Sequence, residues 1–236
     1  MDKAFVLSDI HGCYSQLEQL LAYWDKEMTL YILGDLIDRG EDSLKVVQAV
    51  MKLKEEYGDR VVVLKGNHED LLLRFLDDPV DYSYLYFING GNKAVYDFTR
   101  DDDLISKDVV DIADLVRGVA MKEIEFLRNL PLYAEFGDVI FVHAGVNMQL
   151  DDWRKTNEED FFWTREMVSQ KNMIEKTIVF GHTPTQALHQ NGENHDIWIS
   201  EENKYIGIDG GCVFGGQLNG IVITGQGEIV ARYYVK

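Results

Sequence analysis

Two cysteines, Cys13 and Cys212, are the whole thiol inventory of this 236-residue chain. That is too few for a disulfide framework, and the pair lacks metal-site spacing, so reduced, buried thiols are expected. Proline is equally scarce, with three residues, and no Pro/Ser-rich linker, repeat or low-complexity tract divides the sequence. Residues 1–236 are therefore read as one domain. No apolar run is long enough to cross a bilayer, and the opening "MDKAFVLSDIHG" lacks the basic region and long apolar core of a signal peptide, which points to the cytoplasm. Basic side chains are outnumbered 23 to 41, giving a formal charge of −18. Such a surface repels a nucleic-acid backbone or an anionic membrane, so neither is expected as a partner. Bound divalent cations would offset part of that charge locally.

What the chain does have is a repeated local pattern. "VLSDIHG" (6–12), "LYILGDLIDRG" (30–40), "VVVLKGNHED" (61–70), "VIFVHAG" (139–145) and "TIVFGHT" (177–183) each run from an apolar segment through a small residue or turn into a carboxylate, an amide or a histidine. Continuous apolar runs of this length suit strands buried on both faces. Residues 14–24 carry Leu17, Leu20, Leu21 and Trp24 at helical spacing, and residues 43–53 repeat the stripe with Leu44, Val47, Val50 and Met51. Strand and helix alternating in this way predict parallel βαβ units, whose sites form beyond the carboxyl ends of the strands.

The rest of the chain divides into two characters. Residues 69–130 are charged and helical in period, with breaks at Pro79 and Gly90-Gly91, and are read as a helical cover over the sheet. From residue 132 onward the pattern is strand-rich, with a hairpin turn at Gly137-Asp138 and a helix near 158–170. The predicted architecture is α/β, with two packed sheets and outer helices.

Taken alone, Asp9 would be a turn residue tying down backbone N–H groups. Taken together, Asp9, His11, Asp35, Asn67, His68, His143 and His182 put four of the chain's six histidines at strand ends. Mixed imidazole, carboxylate and amide donors suit Mn, Fe or Zn, and not Ca, which takes oxygen alone. Asp9 and His11, two apart, would point the same way from an extended segment.

The ordered series "SDIHG", "GDLIDRG", "GNHE", "HAG" and "GHT" resembles the calcineurin-like metallophosphoesterases, in the phosphoprotein phosphatase branch, and most of all its compact bacterial and phage members. A late "IGIDGGCVFGGQLNGIVI" resembles the end of the family core. The resemblance implies a four-layer α/β/β/α fold of two mixed sheets flanked by helices. It implies two divalent metal ions, Mn first and Fe or Zn as alternatives. Asp9, His11 and Asp35 would hold the first ion, and Asp35 would bridge to a second held by Asn67, His143 and His182. Bridging fixes a separation of about 3.5–4 Å, at which a water between the ions is acidified into a nucleophile.

By the same resemblance His68 is the general acid, oriented by Asp38, whose carboxylate is expected to raise the histidine's pKa. Arg39 grips phosphate, with Asn67 beside it and Arg165 as second arginine; Arg154 is the alternative to Arg165. The implied reaction is hydrolysis of phosphoserine or phosphothreonine in proteins or peptides, with phosphotyrosine a further option. Symmetrical dinucleoside tetraphosphate hydrolysis is the alternative; bacterial members of that group carry alanine where this chain has Asp38, which favours the phosphatase. A non-enzymatic scaffold has no need of His68 and Arg39. Ser8 stands where the family has glycine, and a Ser-Ala-Pro-Asn-Tyr stretch of eukaryotic members is missing. His189 and His195 are expected to face solvent, Cys13 to be an inert buried thiol, and Trp153, Phe161, Phe162 and Trp163 to be core.

Overall fold

A computed structural model describes residues 2–236. In chain order, β1 (Lys3–Leu7), α1 (Tyr14–Leu21), β2 (Thr29–Ile32), α2 (Ser43–Tyr57) and β3 (Val61–Val63) form the two expected βαβ units, with all three strands parallel. Helices α3 (Asn67–Asp77), α4 (Pro79–Ile88), α5 (Gly91–Thr99), α6 (Val109–Val119) and α7 (Met121–Arg128) follow. Pro79 and Gly90 punctuate this run: proline opens α4, where its missing N–H has no partner to lose, and Gly90 turns into α5 at φ +98°. Then come β4 (Tyr133–Phe136), β5 (Val139–Val142), α8 (Glu158–Trp163), β6 (Thr177–Phe180), α9 (Thr185–Leu188), β7 (Trp198–Ile199), β8 (Tyr205–Gly207), β9 (Leu218–Thr224) and β10 (Ile229–Val235).

These strands build two mixed five-stranded sheets, in the orders β10-β9-β1-β2-β3 and β4-β5-β6-β8-β7. Alternation along each strand decides what lies on either side. In the first sheet Phe5, Leu7, Leu30 and Ile32 face outward onto Leu17 and Leu20 of α1 and Val46 and Val50 of α2. Ala4, Val6, Tyr31 and Leu33 face inward and meet Val139, Phe141, Val179 and Ile206 of the second sheet. Ile140, Val142, Ile178 and Phe180 point to the far side, under Trp153, Phe161 and Met167. The result is the α/β/β/α layering. Each large apolar side chain so buried contributes about 1.5–3 kcal/mol, and a one-residue slip would turn a whole strand's set to the wrong layer.

The helix expected over 158–170 is shorter. It stops at Trp163, Thr164 is extended (φ −62°, ψ 133°), and only a 3₁₀ turn, Met167–Ser169, follows. The break lets Met167 reach the core, where its sulfur accepts the Val146 N–H at 3.4 Å. No helix among the described residues is long and apolar enough to cross a membrane.

Candidate metal centre

Asp9 follows β1, Asp35 follows β2, Asn67 follows β3, His143 follows β5 and His182 follows β6. Because the two sheets pack face to face, five strand ends empty into one pit. The backbone there is not extended, contrary to the expectation for Asp9 and His11. Ten non-glycine residues among those described have positive φ, and six of them are Asp9, His11, Asp35, Asp38, Arg39 and His182. The left-handed region costs of order 1–3 kcal/mol per residue and persists only where the surroundings over-determine it. Here the surroundings are explicit. His11 N–H donates to Asp35 O at 2.9 Å and Gly12 N–H to Leu36 O at 2.9 Å, pinning the two loops together. The buried Glu69 carboxylate accepts the amides of Asp35 (2.9 Å), Leu36 (2.8 Å) and Gly66 (2.8 Å). Gly34 (φ +94°) admits this crowding, since a Cβ there would lie 2.6 Å from Gly66 N. Gly181 does the same beside Asp9, whose carboxylate accepts the His182 N–H at 3.0 Å.

Two donor triplets share one carboxylate: His11, Asp35 and His68 form one, and Asp35, His143 and His182 the other. Within each, the ligand atoms lie within 4.8 Å of one another. Asp35 Oδ2 is 3.4 Å from His11 Nε2, and its Oδ1 is 3.5 Å from His143 Nε2. His11 Nδ1–H donates to Ile37 O (2.8 Å) and His143 Nδ1–H to Leu33 O (2.9 Å). A carbonyl can only accept, so both Nε2 atoms are left as lone pairs aimed into the pit. His143 Nε2 and His182 Nδ1 converge on Asn67 Oδ1 at 2.9 and 3.0 Å, while His182 Nε2 is buried without a partner. Acceptors crowded in this way are what a cation satisfies. The Arg39 guanidinium, 2.6 Å from His11 Nε2, provides part of that positive charge. Asp9 lies in the same pit against Asp35 but outside both triplets, with Asp209 as its other acidic neighbour.

His68 is held differently. Its Nδ1 is 2.7 Å from Asp38 Oδ2, its Nε2 is buried and unpaired, and Asp38 Oδ1 accepts the Tyr86 hydroxyl at 2.9 Å. All three are fully buried. Burial outweighs the carboxylate's pull: His68 is held well below its ordinary pKa and Asp38 is pushed up to about 8, loss of water being the largest cause for both. The expected lift of the His68 pKa is therefore not found. Both shifts favour the neutral form of each group.

A pocket of about 210 Å³ opens over the triplets, and Arg39, Arg165, Asn89, Trp163, Asp209 and Phe214 contribute to its lining. Arg165 thus faces the pit, whereas Arg154 is tied to Glu135 (2.6 Å) at the edge of β4. Trp153, Phe161 and Phe162 are core as expected, but Trp163 is half-buried with its ring 5.7 Å from that of His182. His189 and His195 are half-buried and bonded, to Asp196 O (3.0 Å) and Gly210 O (2.9 Å), so neither simply faces solvent. Cys13 and Cys212 are half-buried too, and the Cys212 thiol lowers the Cys13 pKa through a hydrogen bond.

The sequence pattern of the calcineurin-like phosphoesterases matches residues 3–216. The chain belongs to that family. The asymmetrical bis(5'-nucleosyl)-tetraphosphatase PrpE of Anoxybacillus flavithermus is 27% identical to this phosphoesterase over an alignment of 244 positions that covers 92% of this chain and 88% of that protein. A symmetrical bis(5'-nucleosyl)-tetraphosphatase of Buchnera aphidicola is 33% identical over 150 residues, 62% of this chain and 46% of the other. Among solved structures, one provisionally named a diadenosine tetraphosphatase covers 99% of this chain and 93% of its own, at 22% identity and a TM-score of 0.68. That likeness speaks to fold. The family's dinuclear metal centre fits the donors of this phosphoesterase, since two triplets meet at Asp35 and His182 Nε2 is buried without a partner.

Three contributors had no role in the sequence reading. Asp209, 6% exposed, follows β8 and accepts the Gly211 N–H at 2.8 Å. The strand-end pattern was visible there, as "YIGID". Glu69 stood inside the quoted "GNHE" without a role of its own, and Tyr86 carried no such signal.

Protons in the pit follow burial. Asp9 and Asp35 are pushed well above the carboxylate range by burial and acidic neighbours, and Glu69 and Asp209 up to about 6, burial first. His11 and His182 are held well below 6.5 and His143 is lowered to about 3, again by loss of water. A carboxyl protonated in the fold but ionised in the unfolded chain adds stability that disappears as pH rises through its folded-state pKa. The histidines act with the opposite sign, but only below 6.5, where the unfolded chain protonates. The metal-free phosphoesterase should therefore lose stability as pH rises from 6.5 to about 8. The slope is about 1.4 kcal/mol per pH unit for each carboxyl still protonated. Melting in chelator across this window checks it: Tm should fall by several degrees, and Mn²⁺ should remove the fall. A Tm that rises with pH would refute the account.

Proposed function

We propose that this phosphoesterase hydrolyses dinucleoside tetraphosphates, cleaving off-centre to a nucleoside triphosphate and a nucleoside monophosphate. The observation that carries the reading is the similarity to asymmetrical tetraphosphatases along nearly the whole of both chains. It favours dinucleotides over phosphoproteins, the preference for which rested on the phosphatase-branch resemblance and on Asp38. Asp9, His11, Asp35, Asn67, His143 and His182 would hold two divalent cations, with Mn²⁺ the first choice for such mixed donors. When bound, the cations supply Lewis-acid stabilisation of the phosphoryl oxygens and an acidified water.

The chain's own groups do the remaining work. Arg39 and Arg165 bind the phosphate chain through planar, permanently charged forks. Protonated Asp38, donating to His68 Nδ1, keeps the ring's own proton on Nε2, which faces the site. As the leaving oxygen departs, Nε2 gives up that proton and Nδ1 takes the one from Asp38, leaving a carboxylate that the Tyr86 hydroxyl stabilises. This same relay favours a second reading, because proton donation matters most for an alkoxide leaving group such as phosphoserine.

Purified protein with Mn²⁺, assayed on diadenosine tetraphosphate and on a phosphopeptide panel, tests the proposal. The dinucleotide should win in kcat/KM by at least about tenfold, ~1.4 kcal/mol of transition-state stabilisation. Products should be ATP and AMP; two ADP would mean symmetrical cleavage. A phosphopeptide turned over faster than any dinucleotide would overturn the reading in favour of the phosphatase.

A further inference from the structure

The pocket of about 210 Å³, which on the dinucleotide reading takes the phosphoryl groups, is smaller than a typical site for a drug-sized ligand, so a nucleoside attached to those phosphates must lie on its rim. Phe214 stands there. It is 67% exposed, yet it contributes to the lining of the same pocket as Arg39, His11 and Asp209. The Arg39 guanidinium carbon lies 5.2 Å from the centre of the Phe214 ring, while its Nη1 contacts His11 Nε2 at 2.6 Å. One arginine thus joins the aromatic face to the donor triplets.

The loop that presents Phe214 is braced. Phe214 N–H donates to Gly211 O (3.0 Å), Gly215 N–H to Cys212 O (3.1 Å) and Gly216 N–H to Gly211 O (3.0 Å). Gly211 (φ +67°) and Gly215 (φ +84°) make the tight turns on either side that put the ring outward. The His195 side chain, at 2.9 Å from Gly210 O, ties the base of the loop to a neighbouring segment. An exposed phenylalanine on a surface loop needs no explanation by itself. One held rigidly at the mouth of a phosphate pocket, over the arginine, is a stacking platform at low entropic cost.

We infer that Phe214 stacks on a nucleobase of the substrate and makes this phosphoesterase selective for nucleotides over base-free phosphates. The inference rests on the dinucleotide reading above and names the residue that would recognise the base. Stacking is tolerant of base identity, since every base has a π-face. Purines and pyrimidines should both be accepted, with the larger purine favoured.

The test compares AMP with ribose 5-phosphate, which differ only in the base, by calorimetric titration of the Mn²⁺-loaded protein. AMP should bind about tenfold or more tightly than ribose 5-phosphate to the wild-type protein, in line with base–aromatic stacking. Phe214→Ala should abolish that ratio, and Phe214→Tyr should keep it. Unchanged melting of both variants is the folding control. Equal affinities in the wild type, or a ratio unchanged in Phe214→Ala, would overturn the inference. Slow turnover of diadenosine tetraphosphate together with a Phe214-dependent AMP ratio would leave the base platform standing and remove the proposed substrate. Rapid turnover with no Phe214 dependence of the ratio would remove the platform alone.

Discussion

Asp35→Asn is expected to empty both cation positions together, lowering affinity at each by more than the ~10–100-fold that loss of an outer partner costs. Turnover should fall with it. No other carboxylate belongs to both donor triplets among the described residues, with one oxygen 3.4 Å from His11 and the other 3.5 Å from His143. His11→Ala, by contrast, should deplete one position and spare the other. Metal analysis after dialysis reads the difference, and two equivalents retained by Asp35→Asn would end the bridging assignment. A second readout separates lost metal from lost fold. Burial first, and then repulsion from Asp9 and Glu69, disfavour the Asp35 carboxylate, so a neutral amide should raise the Tm of the metal-free protein near pH 8. Mn²⁺ should no longer raise it further. Metal loss and a more stable apoprotein would then occur in one variant, which misfolding cannot produce.

His68→Ala should lower kcat by roughly 10²–10⁴, the usual range for losing a general acid, and the size of the loss should follow the leaving group. An alkoxide needs the proton most. The nucleotide phosphate released from a tetraphosphate leaves readily without one, so diadenosine tetraphosphate should sit near the bottom of the range. Phosphoserine peptides, if turned over at all, should sit near the top. Metal content serves as the control that gives the experiment its meaning. His68 lies close enough to His11 and Asp35 to be counted in their triplet, but its Nδ1 is taken by Asp38 and only Nε2 is free. An alanine variant that keeps both equivalents assigns His68 to chemistry. A variant that loses one makes it a ligand and refutes the general-acid role.

The apolar runs that end in Asp9, Asp35, Asn67, His143 and His182 were legible because two physical demands act locally. A strand buried on both faces must be continuously apolar, and ligands at the carboxyl end of a sheet must follow it at once. Alternation in β1 and β5, the stripes on α1 and α2 and the breaks at Pro79 and Gly90 were local in the same sense. By itself, then, the sequence determined the family, the layered fold and the gathering of candidate donors at strand ends.

What the tertiary structure alone decided depends on contacts between distant residues. Tyr86 reaches Asp38 from 48 positions away, and Glu69 reaches the Asp35 amide from 34. Neither distance leaves a trace in local pattern. Arg165, two residues beyond the end of α8, lines the pit, whereas Arg154 is tied to Glu135. The proton arrangement of His68 and Asp38 reversed the expectation because burial is a property of the folded pit and not of either residue. Left-handed backbone at six site residues could not be read from "SDIHG" or "GDLIDRG" either, since non-glycine residues take that conformation only when neighbouring loops force it. Donor identity is written along the chain; donor geometry, and the protons that go with it, exist only once the two sheets have closed on each other.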